Sequence, residues 1–359
     1  MALVNTVCLT KLLERMKDQK RLARKLTNPK TWGKEGERLK FDAIVGNPPY
    51  HEDDSGYRVS ASPVYQFFVE QAKQLTPRYA SMIIPARWFS GGKGLDEFRD
   101  KMLHDTRLKA IHDYPEAVDC FSNVQIKGGI CYLLWDSQYT GDCTVTTHRG
   151  SQIGKSVSRP LLEPDCDVFI RYNEAIDILR KVQALAEKSF QSYVSTRKPF
   201  GLDTLYRGSA TKQNNSILLY ENGGISYIDS SEIQRNAEWV NQPKVFIPEA
   251  GSGSDSFPHP ILGRPFLGKS GTASTETYLL IGPFETDTIC NHVISYIRTK
   301  FFRFLVLLKK PSQHATSKVY SFVPVQDFSK PWTDAELYQK YRLSDDEIAF
   351  IESMIKPME

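Results

Sequence analysis

Paired cysteines are the first thing missing from this 359-residue chain. Its six cysteines, Cys8, Cys120, Cys131, Cys143, Cys166 and Cys290, are scattered with no Cys-x-x-Cys or Cys-x-x-His spacing. A zinc-finger framework and a disulfide scaffold are therefore not expected, no metal site is assigned, and the thiols read as reduced ones in a cytoplasmic protein. No apolar run approaches a membrane span, and Met1 is not followed by a secretory signal, so no membrane partner is expected. A Gly-x-Ser-x-Gly elbow is absent, which removes one large class of serine hydrolases. Gly251, Gly253 and Gly271 mark turns, and none is followed by the Lys-Ser/Thr of a phosphate-binding loop. No repeat of 20–50 residues is visible. An excess of one charge is also lacking. The formal net charge of +4 is compatible with a polyanionic partner without requiring one. The length suggests about two domains.

One stretch stands out against these absences. Residues 41–50, FDAIVGNPPY, read as a short apolar strand that breaks at Gly46 and enters a rigid turn. Phe41, Ala43, Ile44 and Val45 predict a buried central strand of a parallel sheet, and the turn lies at its carboxyl end, where ligands bind in open α/β sheets. Pro48 and Pro49 fix φ twice and remove two backbone donors. Carbonyl oxygens are left without partners in the turn, Asn47 adds a side-chain acceptor, and Tyr50 adds a flat ring. Such a surface suits a planar ring carrying an exocyclic amino group.

FDAIVGNPPY resembles the catalytic motif of DNA adenine-N6 methyltransferases of restriction–modification systems. The resemblance implies a Rossmann-like domain that uses S-adenosylmethionine and acts on an adenine flipped out of double-stranded DNA. Asn47 and the carbonyl of Pro48 would accept hydrogen bonds from the adenine amino group, Pro49 would stiffen the turn, and Tyr50 would stack on the base. The adenine amino lone pair is delocalised into the ring. Two acceptors on its hydrogens draw the nitrogen toward a tetrahedral geometry and stabilise the positive charge that develops during attack. In the family's order, Phe68 is the position that packs near the cofactor's adenine ring, and Phe121 the position of a second aromatic holding the flipped base; as a residue, Phe121 reads equally as core.

Sites of this family also need a glycine-rich turn, Asp/Asn-Pro-x-x-Gly-x-Gly, and nothing in residues 1–40 supplies it. That stretch reads as a basic helix, with Lys11, Arg15, Lys17, Lys20, Arg21, Arg24 and Lys25, followed by a polar loop. The expectation is therefore an α/β chain holding the second half of a Rossmann-like methyltransferase sheet, residues 41–137, with the main cofactor motif supplied from elsewhere. Within that half the sequence predicts a helix at 63–75, a buried strand at 79–85, a loop PARWFSGG, a helix GLDEFRDKML, an edge strand at 108–114, and a hairpin ending in ICYLLW. Lys93, among Gly91, Gly92 and Gly94 before a helix, is a candidate phosphate contact. The polar stretch HEDDSGYRVSAS after Tyr50 reads as a solvated loop.

Residues 138–330 change character and read as a mixed α/β target-recognition domain. Strands are predicted at CTVTTH, KVFIPE, TETYLLIG and VYSFVPV, a helix at 173–188, and one long amphipathic helix at 287–308. Basic residues beside aromatics, Arg197, Lys198, Arg207, Lys212, Lys309, Lys310, His314 and Lys318, are candidate DNA contacts, most of them to phosphates. Residues 331–359 predict two short helices opened by the capping boxes Thr333-x-x-Glu336 and Ser344-x-x-Glu347. A second reading has a different class of function: a DNA-binding module without catalysis of its own, which needs a partner chain carrying the cofactor-binding half. The same turn geometry also serves N4-cytosine, RNA and protein-glutamine methylation. No Pro-Asp…Glu-x-Lys nuclease cluster stands out, so cleavage is not expected.

Overall fold

The computed structural model describes residues 41–51, 62–92, 94–122, 126, 128–251, 257–310 and 315–358. The expected helix at 1–40, the loop at 52–61, Lys93 and His314 lie outside these residues. The chain divides into two compact units, Met1–Asn173 and Glu174–Glu359.

Among the described residues, the first unit is built on a seven-stranded sheet. Its strands are β1 (Ala43–Gly46), β2 (Tyr79–Pro85), β3 (Leu108–Tyr114), β4 (Ile130–Asp136), β5 (Cys143–Arg149), β6 (Gln152–Ile153) and β7 (Val157–Arg159). Their order is β1-β2-β4-β3-β5-β6, with β7 paired to β5. β1 and β2 run parallel, as do β3 and β5, and β4 is antiparallel to both β2 and β3. The carboxyl ends of β1, β2, β3 and β5 therefore lie along one edge of the sheet. Helices α1 (Tyr65–Gln74) and α2 (Asp96–Leu103) contribute Tyr65, Val69, Ala72, Phe98 and Met102 to the core, where they meet Met82, Ile84, Ile111, Leu133 and Val145 of the sheet. Trp88, fully buried in the 3-10 turn Ala86–Phe89, makes edge contacts with the rings of Phe89 and Phe98 at 4.8 and 5.9 Å. It fills the core rather than lining a site.

Four expectations need correction here. β1 is not a buried central strand: its residues alternate between exposed and half-buried, and Val45 is 78 % exposed. β1 ends the strand order, so among the described residues nothing pairs with its outer side. The 108–114 strand, expected at an edge, lies between β4 and β5. Its half-polar pattern comes from one face that is open and one that is packed. Of the hairpin expected to end in ICYLLW, the first run shows no strand among its described residues; Ala117–Asp119 is a single 3-10 turn, and β4 pairs directly with β3. The boundary expected near residue 137 falls after Asn173. CTVTTH is β5, and its Cys143 and Val145 join the core of the first unit.

The second unit holds two three-stranded sheets. In one, β10 (Lys244–Pro248) lies between β11 (Phe266–Gly268) and β13 (Tyr278–Ile281), and both pairings are antiparallel. In the other, β8 (Ser216–Glu221) pairs antiparallel with β9 (Gly224–Asp229) and parallel with β12 (Thr272–Ser274). Phe200, Leu219, Ile228, Phe246, Ala273 and Leu280 form a shared core. The helices are α3 (Glu174–Gln183), α4 (Asp287–Arg298), α5 (Lys300–Lys309), α6 (Asp334–Lys340) and α7 (Asp345–Met354). Both expected capping boxes form, at the starts of α6 and α7. The single helix expected at 287–308 is two. Thr299 takes an extended backbone, and its hydroxyl accepts from the Phe302 N–H as the cap of α5, so the ladder stops and restarts. The helix expected at 173–188 ends at Gln183. VYSFVPV, residues 319–325, forms no strand; its first two residues end the 3-10 turn Ser317–Tyr320.

Candidate functional site

Asn47, Pro48, Pro49 and Tyr50 follow β1 directly, at the carboxyl edge of the parallel strands. Asn47 is exposed and Pro48 is buried. Among the described residues no backbone hydrogen bond uses the Pro48 carbonyl, as two prolines in sequence lead one to expect. The turn is tied to α1 through the Tyr50 carbonyl, which accepts from the Val64 N–H at 3.1 Å. The half-buried Tyr50 ring packs against the first unit's core. Its hydroxyl is sealed from solvent without a well-formed hydrogen bond. Burial pushes its pKa up to about 12, helped by the nearby Cys120 and Cys131 thiols and opposed by the Asn47 side chain. Tyr50 is thus a neutral aromatic at any physiological pH.

Phe121 is half-buried in the connection between β3 and β4, and its N–H donates to the Ala117 carbonyl at 2.8 Å. Its neighbour Cys120 is close enough to influence Tyr50, so this connection and the Asn-Pro-Pro-Tyr turn approach one another. Phe68 is buried in α1, at 8 % exposure. Its ring is covered by protein, and the described residues contain no Asp/Asn-Pro-x-x-Gly-x-Gly turn. These residues alone do not fit S-adenosylmethionine.

Two groups at the same sheet edge escaped the sequence reading. Asp113 on β3 is fully buried and receives a two-pronged bond from Arg171, Nε to Oδ2 at 2.8 Å and Nη2 to Oδ1 at 2.6 Å. A carboxylate at a core-facing strand position signals that a cation must meet it, but sequence spacing does not say which one. The second group lies on the opposite face of the sheet, where His112 Nδ1 and His148 Nε2 are 2.9 Å apart. His112 stacks on Tyr132, and His148 on Tyr114, with ring centroids at 4.5 and 4.4 Å. His112 and Tyr114 are two apart on one strand, which places them on one face.

These groups set a pH dependence. Burial holds both imidazoles below their ordinary value, and His148 adds to the effect on His112. The unfolded chain then takes up protons first, so stability is full above the usual histidine pKa of about 6.5 and is lost as pH falls below it. A further loss is expected below the usual carboxylate range. Burial raises the pKa of Asp105, but hydrogen bonds from Arg107 and the Lys73 ammonium outweigh it and hold the carboxyl well below that range. Denaturant titrations at pH 8, 6, 5 and 3 check this. Changing His112 and His148 together to Gln should flatten the slope between pH 7 and 5.

A cavity of about 510 Å³ lies elsewhere, lined by Glu70, Lys73, Phe98, Lys101, Asp105 and Arg107. It sits by the amino end of β3, away from Asn47. Its charges satisfy one another: Lys73 with Asp105 at 2.9 Å and Lys101 with Glu70 at 3.2 Å. Among the described residues no group of three or more His, Cys, Asp or Glu side chains is placed to hold a metal, and no helix is long and apolar enough to cross a membrane.

The candidate DNA contacts divide. Arg197 and Lys198 both face Glu276, at 3.1 and 3.7 Å. The same carboxylate accepts from the Thr204 N–H and hydroxyl, so one acid gathers the 196–212 stretch. Arg207 is exposed, and it donates to the carbonyls of Thr204 and Tyr206. Lys212 and Lys318 are exposed. Lys309 and Lys310 are turned inward, to the Ser321 hydroxyl at 2.7 Å and the Ile261 carbonyl at 2.6 Å. Residues 263–270 also match Gly-x-x-x-x-Gly-Lys-Ser, a pattern missed in the sequence. Here it forms β11 and a turn into β12, with no helix following, so it is not a phosphate loop. A Cβ at Gly268 would lie 2.5 Å from the Phe246 ring, which explains the glycine by packing.

Comparison with known proteins bears on the first unit. Residues 3–121 match the family model of the Eco57I restriction-modification methylase. A Mycoplasma pneumoniae protein described as an uncharacterized adenine-specific methylase is 35% identical over 150 residues, covering 40% of this chain and 34% of that protein. The chain thus spans about a third of that relative's length. Two solved structures align over most of the chain. One is the type IIL restriction-modification enzyme MmeI in complex with DNA, with a TM-score of 0.43, 10% identity, and coverage of 88% of this chain and 55% of that one. The other is the type IIG restriction endonuclease BpuSI, with a TM-score of 0.37, 11% identity, and coverage of 84% and 49%. Over residues 3–121, which include the Asn47–Tyr50 turn, the chain is similar to the restriction-modification methylases, and the adenine-methylase resemblance read from that turn stands.

Proposed function

We propose that this chain holds an adenine flipped from double-stranded DNA and presents its N6 amino group for methylation by S-adenosylmethionine. The observation that carries the reading is the turn itself: an exposed Asn47 beside a proline carbonyl that no backbone hydrogen bond uses among the described residues, at the carboxyl edge of the parallel strands β1 and β2. Asn47 Oδ1 and the Pro48 carbonyl would accept from the amino group. Tyr50, with Phe121 opposite, would hold the ring. No general base is needed before attack, because the two acceptors already favour the charge that develops. The exposed cations Arg207, Lys212 and Lys318, together with Arg197 and Lys198, would meet phosphates, and Lys93 is a further candidate. Lys309 and Lys310 contribute less while their ammonium groups stay turned inward.

The reading that this chain only binds DNA and needs a cofactor-binding half has its own support. The outer edge of β1 is open among the described residues, and Val45 and Tyr79 are 78 % and 39 % exposed on one face of the sheet. A polypeptide carrying the glycine-rich turn, in the same polypeptide or a partner chain, would cover that apolar surface. The test is transfer of a labelled methyl group from S-adenosylmethionine to unmethylated phage DNA, by this chain alone and with such a polypeptide. Transfer by the chain alone supports self-sufficiency. Transfer only with the added polypeptide supports the divided site. No transfer in either arm rejects the proposal.

A further inference from the structure

We infer that Arg171 is a positioning residue for the loop that carries Phe121; the inference deepens the base-holding role proposed for Asn47–Tyr50 and rests on it. The argument begins with Asp113. A fully buried carboxylate in the middle of a sheet is costly unless it is paired and hydrogen-bonded. Among the described residues no neighbouring strand supplies its partner. Arg171, which follows β7 in the chain, reaches it with two prongs. That uses Nε and Nη2. The remaining nitrogen, Nη1, donates to the Gly128 carbonyl at 2.9 Å, and the guanidinium carbon lies 5.4 Å from the centre of the Phe89 ring.

One planar cation therefore joins three elements at the carboxyl edge: β3, the loop entering β4, and the turn that follows β2. The loop is held at further points. The Gly129 carbonyl accepts from the Ala86 N–H at 3.0 Å, and the Gly129 N–H donates to the Ile126 carbonyl at 2.9 Å. On the other side of Phe121, the Asp119 carboxylate accepts from the Gly150 N–H at 2.7 Å. Phe121 lies between these anchors in the chain, next to Cys120, whose thiol acts on Tyr50. A lysine at 171 would keep the charge but not the planar fork that makes three directed bonds.

The test compares the full chain with its Arg171→Lys variant in two measurements. In amide hydrogen exchange, residues 115–122 and 128–129 should exchange about tenfold faster in the variant, the scale of one lost charge-assisted hydrogen bond. The strands at 79–85 and 130–136 should not change. In methyl transfer to unmethylated phage DNA, KM for DNA should rise about tenfold with kcat within about twofold, because base capture is impaired and the acceptors are intact. Asn47→Ala should do the reverse, lowering kcat with loop exchange unchanged. Unaltered loop exchange in Arg171→Lys, or equal acceleration across the whole first unit, would overturn the positioning role. If the unaltered chain transfers no methyl group in any arm, the base-holding reading fails, and the exchange measurement still decides what Arg171 orders. Should Arg171→Lys not fold, the pair Asp113→Asn with Arg171→Gln removes both charges together and is read in the same way.

Discussion

Replacing Asn47 with alanine is expected to reduce methyl transfer by about two to three orders of magnitude while leaving the fold unchanged. The size follows from removing one preorganised group that stabilises charge developing in the transition state. The fold should persist because Asn47 is exposed, and the buried group beside it, the Tyr50 hydroxyl, already lacks a well-formed hydrogen bond. The amino group would keep only the Pro48 carbonyl, and its lone pair would stay conjugated with the ring for longer along the reaction coordinate. The loss should appear in kcat, with DNA affinity within about twofold, since phosphate contacts carry most of the affinity. Initial-rate kinetics with labelled donor, beside a denaturant melt, check both parts. A variant as active as the unaltered chain rules out Asn47 as an acceptor.

Gly129→Ala should be the most damaging small substitution in the first unit. Gly129 has φ near +77°, and a Cβ there would lie 2.2 Å from the Tyr114 carbonyl oxygen and 2.5 Å from that of Pro115. Both neighbours are backbone, so neither can swing aside. A loss of roughly 4 kcal/mol is expected, at the upper end for point changes. Gly128 is the control: its φ is +88°, yet a Cβ there meets nothing within 4 Å. Gly128→Ala should cost about 1–2 kcal/mol, from the left-handed backbone alone. Urea titrations of the two variants measure the difference, and equal losses would show that the close approach to Tyr114 is not what demands the glycine.

What the sequence disclosed was mostly local. The Asn47–Tyr50 turn was legible because proline geometry and the preceding apolar run act within ten residues. The capping boxes at Thr333 and Ser344 were legible for the same reason. The split at Thr299 was local too, but a threonine inside an unbroken apolar period is easily read as a tolerated interior residue. Long-range facts were hidden. An apolar run such as Ala43–Val45 does not tell whether a neighbour covers it, and here, among the described residues, β1 ends the strand order with Val45 exposed. The boundary after Asn173 depended on β5 pairing with β3, and strand pairing across such a distance leaves no spacing signal. Likewise, Asp113 passed unremarked on a strand expected at an edge, and only the fold shows it buried with Arg171 as its partner.

The central claim is that the turn at Asn47–Tyr50 holds adenine for methylation at N6. The most direct measurement is to identify the labelled nucleoside. Unmethylated phage DNA is incubated with methyl-labelled S-adenosylmethionine and the chain, with a cofactor-half polypeptide added where the chain alone is silent, and is then digested to nucleosides and separated. The expected result is label in N6-methyldeoxyadenosine, lost with Asn47→Ala. Label in N4-methyldeoxycytidine, or label that survives Asn47→Ala, would contradict the claim.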